Sequence, residues 1–165
     1  MITVPEKIHF LLIARLLESK GIREYVNASI LVKEKFPNVS FNLVGYLDNN
    51  PESISEEELN NWVAEKNIHF YGHLKDIRPA IACSSVYVLP SYSEGFSRSV
   101  LESMAAGLPI LTTPVGANKD VIKNDYNGVL VNPGDLKALE KLRLVTGAKD
   151  FIRKWHLSGK VISST

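Results

Sequence analysis

Several absences bound what this chain can be. No apolar run approaches the roughly 20 residues that cross a bilayer. The opening "MITVPEKIHF" lacks the basic start and long apolar core of a secretion signal. There is one cysteine, Cys83, which excludes an internal disulfide framework and leaves a cysteine-built metal site without its ligands. Excess charge is nearly absent too: 19 basic side chains stand against 18 acidic ones, a net +1 at pH 7. No broad field therefore draws in nucleic acid or an acidic membrane. Two phosphate-binding fingerprints are missing. No two of the 10 glycines stand one residue apart, so there is no Gly-x-Gly-x-x-Gly, and there is no glycine–lysine Walker loop. No Asp-x-Asp pair is present to hold a metal-bound diphosphate. The expectation is a cytoplasmic chain with no resident cofactor, no metal and no nucleic-acid partner. Membrane association, if any, is peripheral and at the inner face.

What is present is ordinary in amount and informative in order. With 165 residues, 45% apolar and 22% charged, the chain suits one globular domain. Short β-rich runs alternate with helical patterns. "IHFLLIA" (8–14) is a continuous apolar run that fits a strand buried on both faces. A helix follows over 21–36 with Ile22, Tyr25, Val26 and Val32 on one face, stopped by Pro37. Strands are expected at 39–45, 68–74, 86–90, 109–113 and 128–131. Between them, Ser55 and Glu58 form a capping-box pattern that opens a helix, and short helices are expected over 77–83 and 119–123. Val100, Leu101, Met104, Ala105 and Leu108 mark one face of a further helix. A last helix is expected from Asp135, with Leu136, Leu139 and Leu142 along one side. Alternation of this kind needs crossover connections, so the fold class is α/β: a Rossmann-like parallel sheet of about six strands with helices on both faces. Ligands of such sheets bind beyond the carboxyl ends of the strands.

Two constellations fall at that edge. In "ARLLESKG" (14–21), Arg15 and Lys20 leave the first strand just before a helix N-terminus. A guanidinium fork and a movable ammonium beside free N–H groups suit a diphosphate. Two solvated cations, one of them paired with Glu18, fit the same spacing. In "PSYSEGFSRSVLESMAAGLP" (90–109), Glu94 precedes the helix and Glu102 sits in its first turns, off the apolar face, so both carboxylates are expected in one crevice. Ser91–Glu94 and Ser99–Glu102 also fit Ser-x-x-Glu, so capping and ligand binding both remain open at this level. His69 and His73 are four apart but end a strand, which is a poor geometry for a metal.

Several motifs in fixed order resemble the family 4 glycosyltransferases, whose two-domain architecture is the GT-B fold. "ARLLESKG", "IHFYGHLKDI", "PSYSEGF", "LESMAAGLP", "TTPVGANKDVI" and "NGVLVNPGD" fall where that family has its signature segments. The resemblance covers about residues 8–142 and leaves 146–165 unassigned. It implies one half of a GT-B fold: a single C-terminal nucleotide-sugar-binding domain over 1–165, without the N-terminal acceptor domain. By that resemblance Arg15 and Lys20 contact the diphosphate of a UDP- or GDP-linked sugar, Glu94 lies near the sugar, and Glu102 holds the ribose. Gly95, Phe96 and Ser97 offer N–H groups to sugar and phosphate, and the turn at Gly72 and His73 holds the base. The implied activity is retaining glycosyl transfer in bacterial surface polysaccharide or glycan biosynthesis. The acceptor glycan or lipid-linked sugar would be held by the N-terminal domain. Alternatives are a non-catalytic donor-binding subunit that needs a separate partner polypeptide, or another nucleotide-sugar enzyme of the same fold. Departures from the family pattern are Ala14 and Ser97, where glycine is common, and Asp120 in place of glutamate.

Overall fold

A computed structural model describes residues 7–124 and 126–135. Of the helix expected from Asp135 through Leu142 only Asp135 is described, and the segment 146–165 lies outside the described residues. The described chain runs β1 (His9–Ile13), α1 (Ile22–Lys35), β2 (Ser40–Val44), α2 (Glu56–Ala64), β3 (His69–Phe70), α3 (Arg78–Ala82), β4 (Val86–Leu89), α4 (Arg98–Ala105), β5 (Ile110–Thr112), α5 (Asn118–Val121) and β6 (Gly128–Leu130). The strands form one sheet in the order β3-β2-β1-β4-β5-β6. Every pairing is parallel. Winding runs outward from β1 through β2 to β3, then returns to the other side of β1 and continues through β6. β1 and β4 are therefore neighbours at the point where the winding reverses, which opens a crevice at their carboxyl ends.

The central strands read as apolar runs because both their faces are covered. Phe10 and Leu12 of β1 are fully buried. Phe10 stacks on Phe41 with ring centres 4.6 Å apart, and Tyr25 of α1 meets Phe41 edge-on at 5.2 Å. Leu11 and Tyr87, equally buried, point to the opposite face.

Four local expectations are corrected. The strand expected over 68–74 is only His69–Phe70, because Gly72 turns the chain at φ +69° and ends the ladder. At α2, Ser55 accepts the Glu58 N–H at 3.1 Å, but the Glu58 carboxylate turns away to Arg23 at 2.8 and 3.1 Å. At α4 neither Ser91 nor Ser99 is the cap: Ser97 is, with its hydroxyl accepting the Val100 N–H at 3.3 Å. On the apolar face expected of α4, Val100 and Leu108 are buried and Met104 packs against the core, but Ala105 is exposed and Ser103 is buried. The Tyr87 hydroxyl reaches out of β4 to the Ser99 hydroxyl. Burial pushes the Tyr87 phenol well above its ordinary pKa, and it stays a neutral hydrogen-bonding group.

Candidate functional site

The crevice is assembled by main chain before any side chain enters. The loops after β1 and β4 touch directly: the Tyr92 N–H donates to the Ser19 carbonyl at 2.8 Å. Gly21 sits at φ +71°, and a Cβ placed on it would lie 2.1 Å from the Pro90 carbonyl oxygen. Only glycine permits that approach. The loop after β5 closes from the other side. Thr113 donates its hydroxyl to the Ser91 carbonyl, and the Ala117 N–H donates to the Gly95 carbonyl at 3.1 Å. A Cβ on Gly116 would stand 1.9 Å from the Glu94 carbonyl oxygen. The loops after β1 and β5 thus clasp the segment from Ser91 to Gly95 in the loop after β4.

Inside this clasp lies an ion pair. Lys20 Nζ is 3.0 Å from Glu94 Oε1, with the two side chains 17% and 9% exposed. The same ammonium donates to the Ser93 carbonyl at 3.2 Å. The Ser91 hydroxyl stands 2.9 Å from Glu94 Oε1 and 3.0 Å from the Ser19 carbonyl. The serine that resembled a helix cap is instead part of the wall that fixes Glu94. Arg15 is placed differently. Its guanidinium is half exposed and 3.2 Å from Asp48 Oδ2. Asp48 is itself held in a turn, accepting the Asn50 N–H at 3.2 Å. Glu18 pairs with Arg23 at 2.6 Å, not with either of the two cations in its own loop.

Glu102 is exposed on α4 and lines a groove of about 770 Å³ with Lys75, Asp76, Ile77 and Arg78. Hydrogen bonds from Arg78 hold the Asp76 carboxyl below the usual carboxylate range. Glu94 is enclosed with Lys20, and Glu102 lines the α3–α4 groove. The turn at Gly72 and His73 stands at the ends of β2 and β3, where the Gly72 carbonyl accepts the Gly45 N–H at 2.9 Å. The His73 ring meets Tyr46 edge-on at 5.6 Å. Gly95 is exposed beside the crevice, and the Phe96 ring is 66% exposed. Ser97 is buried as the α4 cap.

Sequence reasoning missed Ser91, Gly116 and Asp48 as parts of the site. Ser91 resembled a cap, Asp48 stood in a turn-rich loop, and Gly116 carried no signal beyond being a loop glycine. Among the described residues no three His, Cys, Asp or Glu side chains cluster as a metal site. No helix among them is long and apolar enough to cross a membrane.

A doubly wound parallel lobe, with a charged crevice at the reversal of its winding, is the class of domain that the fold and site define. The particular family follows from comparison: the chain belongs to the family described as Glycosyl transferases group 1, which it matches over residues 7–143. Its sheet is the Rossmann-like half of that family's GT-B fold. It is 34% identical over 145 residues to the N,N'-diacetylbacillosaminyl-diphospho-undecaprenol alpha-1,3-N-acetylgalactosaminyltransferase of Campylobacter jejuni, covering 87% of this chain and 37% of that protein. It is 29% identical over 144 residues to the capsular polysaccharide biosynthesis glycosyltransferase CapM of Staphylococcus aureus, covering 82% and 38%. The chain thus spans less than two fifths of the length of these relatives. Among solved structures, the C-terminal domain of the group 1 glycosyl transferase LpcC from Francisella tularensis superposes with a TM-score of 0.73 at 25% identity, covering 90% of this chain and 79% of that one.

Proposed function

We propose that this chain is the donor-binding lobe of a glycosyltransferase that uses a nucleotide-diphosphate sugar and transfers the sugar with retention of configuration, in the assembly of a bacterial surface glycan. The observation that carries the reading is the enclosed Lys20–Glu94 pair, clasped at the β1/β4 edge by three loops. An ammonium has three donors, and two of those on Lys20 are engaged, by Glu94 and the Ser93 carbonyl. The third is available to a phosphate oxygen. When the bond between the anomeric carbon and the diphosphate breaks, its electron pair stays on the diphosphate. A fixed cation there stabilises that charge more in the transition state than in the ground state. Glu94 has Oε1 committed to Lys20 and Ser91, which leaves Oε2 for a sugar hydroxyl.

Arg15, exposed and held by a surface ion pair worth about 1 kcal/mol or less, is free to exchange Asp48 for a diphosphate. Glu102 accepts from the ribose hydroxyls, while the Gly72–His73 turn, with the N–H groups of Gly95, Phe96 and Ser97, completes the contacts to base, phosphate and sugar. No metal takes part. The names of the relatives, which include a diphospho-undecaprenol-linked acceptor and a capsular polysaccharide, support a lipid-linked or polymeric glycan acceptor held by a second lobe.

The test is a titration with UDP, GDP and their sugars, followed by amide chemical shifts in the wild type and in Arg15→Ala and Glu102→Ala. The expected result is saturable binding that moves resonances in 72–78 and 91–97 and weakens in both variants. Absence of binding by every nucleotide, or unchanged binding by both variants, would overturn the assignment.

A further inference from the structure

A second cavity, of about 370 Å³, lies beneath α3 on the sheet face opposite α1. That volume is within the usual range for small-ligand sites. Its floor is made of alternate residues of β1 and β2, and the register Leu11↔Asn42 gives it two unlike ends. Leu11, Val44, Leu74 and Pro79 line the apolar part. His9 and Asn42 form the polar end. Among the described residues no lysine, arginine or carboxylate lines it.

The polar end is under-used. Asn42 is only 9% exposed. Its Nδ2 has one long contact, 3.4 Å to the Ser40 hydroxyl, and its Oδ1 has no hydrogen-bond partner among the described residues. His9 Nδ1 is 2.6 Å from the same hydroxyl, while Nε2 is likewise without a partner among the described residues. Burial first, then Lys7 and His69 nearby, lowers the His9 pKa below its usual 6.5, so the ring is neutral at pH 7. Asn42 offers a donor and an acceptor side by side, which matches the edge of another amide.

We infer that this cavity binds a small uncharged aromatic ring carrying a carboxamide or lactam edge, with the ring against Leu11, Val44 and Pro79 and the edge paired to Asn42 and His9. The site is separate from the α3–α4 groove, because α3 divides them: Pro79, Ala80 and Cys83 face this cavity, and Arg78, Ile81 and Ala82 face the groove. The inference does not rest on the donor reading, since a chain that binds no nucleotide gives the same result below.

Cys83 makes the test direct. It is the only cysteine, it is exposed, and it lines the cavity. Thiolation of the wild type by methyl methanethiosulfonate is followed by mass spectrometry with increasing benzamide, and separately with toluene, which has the ring without the edge. Benzamide at about ten times its Kd should slow the reaction about tenfold by mass action, with shifts at the methyl groups of Leu11, Val44 and Leu74. Toluene should protect several times less at equal concentration. In Asn42→Leu the advantage of benzamide over toluene should vanish. The proposal fails if benzamide does not slow thiolation of the wild type, if toluene protects it equally well, or if the shifts fall on 75–78 instead. The wild-type comparison decides the matter even where Asn42→Leu does not fold.

Discussion

Glu94 and Glu102 stand one helix turn either side of the start of α4, in opposite surroundings. Glu94 is 9% exposed and answered at 3.0 Å by Lys20. Glu102 is exposed on the groove wall it shares with Lys75 and Arg78. The first is fixed by main chain that approaches so closely that glycine is required at Gly21 and Gly116. The second needs only its place on a helix. The contrast separates two ways of placing a carboxylate. Where charge is enclosed, backbone geometry and stability are coupled to the site. Where it is exposed, the site can change at almost no cost to the fold.

The sharpest way to break the enclosed side is Gly116→Val. Its Cβ would lie 1.9 Å from the Glu94 carbonyl oxygen at φ +53°, and the expected loss is roughly 2–4 kcal/mol in urea denaturation. Next is Lys20→Met, which leaves Glu94 enclosed without its cation. It should cost about 1–3 kcal/mol of stability and abolish measurable nucleotide-sugar binding by calorimetry. An unchanged urea midpoint would show that Glu94 is less enclosed than its surroundings indicate. On the open side, Glu102→Ala should leave the midpoint unchanged while weakening nucleotide affinity about tenfold, or 1.4 kcal/mol. If it instead destabilises the chain, the contrast collapses.

The smallest effect concerns His9. Its folded pKa lies below the 6.5 of the free imidazole. The unfolded chain therefore takes up its proton first as pH falls, and stability drops from about pH 6.5 downward to the folded pKa. Between pH 7.5 and 5 the urea midpoint should fall further for the wild type than for His9→Gln.

The sheet was largely legible in the sequence because burial on both faces leaves a plain apolar run, as in "HFLLI" of β1 and "VYVL" of β4. Interruptions were less legible, since β3 is cut short by a left-handed glycine whose conformation no periodicity reveals. On α4 the apolar pattern located Val100, Met104 and Leu108 but counts serine as outward, whereas Ser103 is fully buried and Ser99 meets the Tyr87 hydroxyl. At the site, spacing together with the family resemblance singled out Arg15, Lys20, Glu94 and Glu102 as candidates, but not who holds whom. Ser91 and Asp48 act through neighbours more than thirty residues away in the chain. Contacts across that separation leave no local signal.

The strand order has a consequence for synthesis. β1 is central, yet its second edge is closed only by β4, through Phe10↔Val86 and Leu11↔Tyr87. On a ribosome adding 5–20 residues per second, about one to four seconds separate the emergence of Phe70, which completes β3, from that of Leu89, which ends β4. During that interval the half-sheet β3-β2-β1 carries an open, apolar edge of the kind that pairs with foreign strands. The short path through α3 limits how long the nascent chain is exposed in that state.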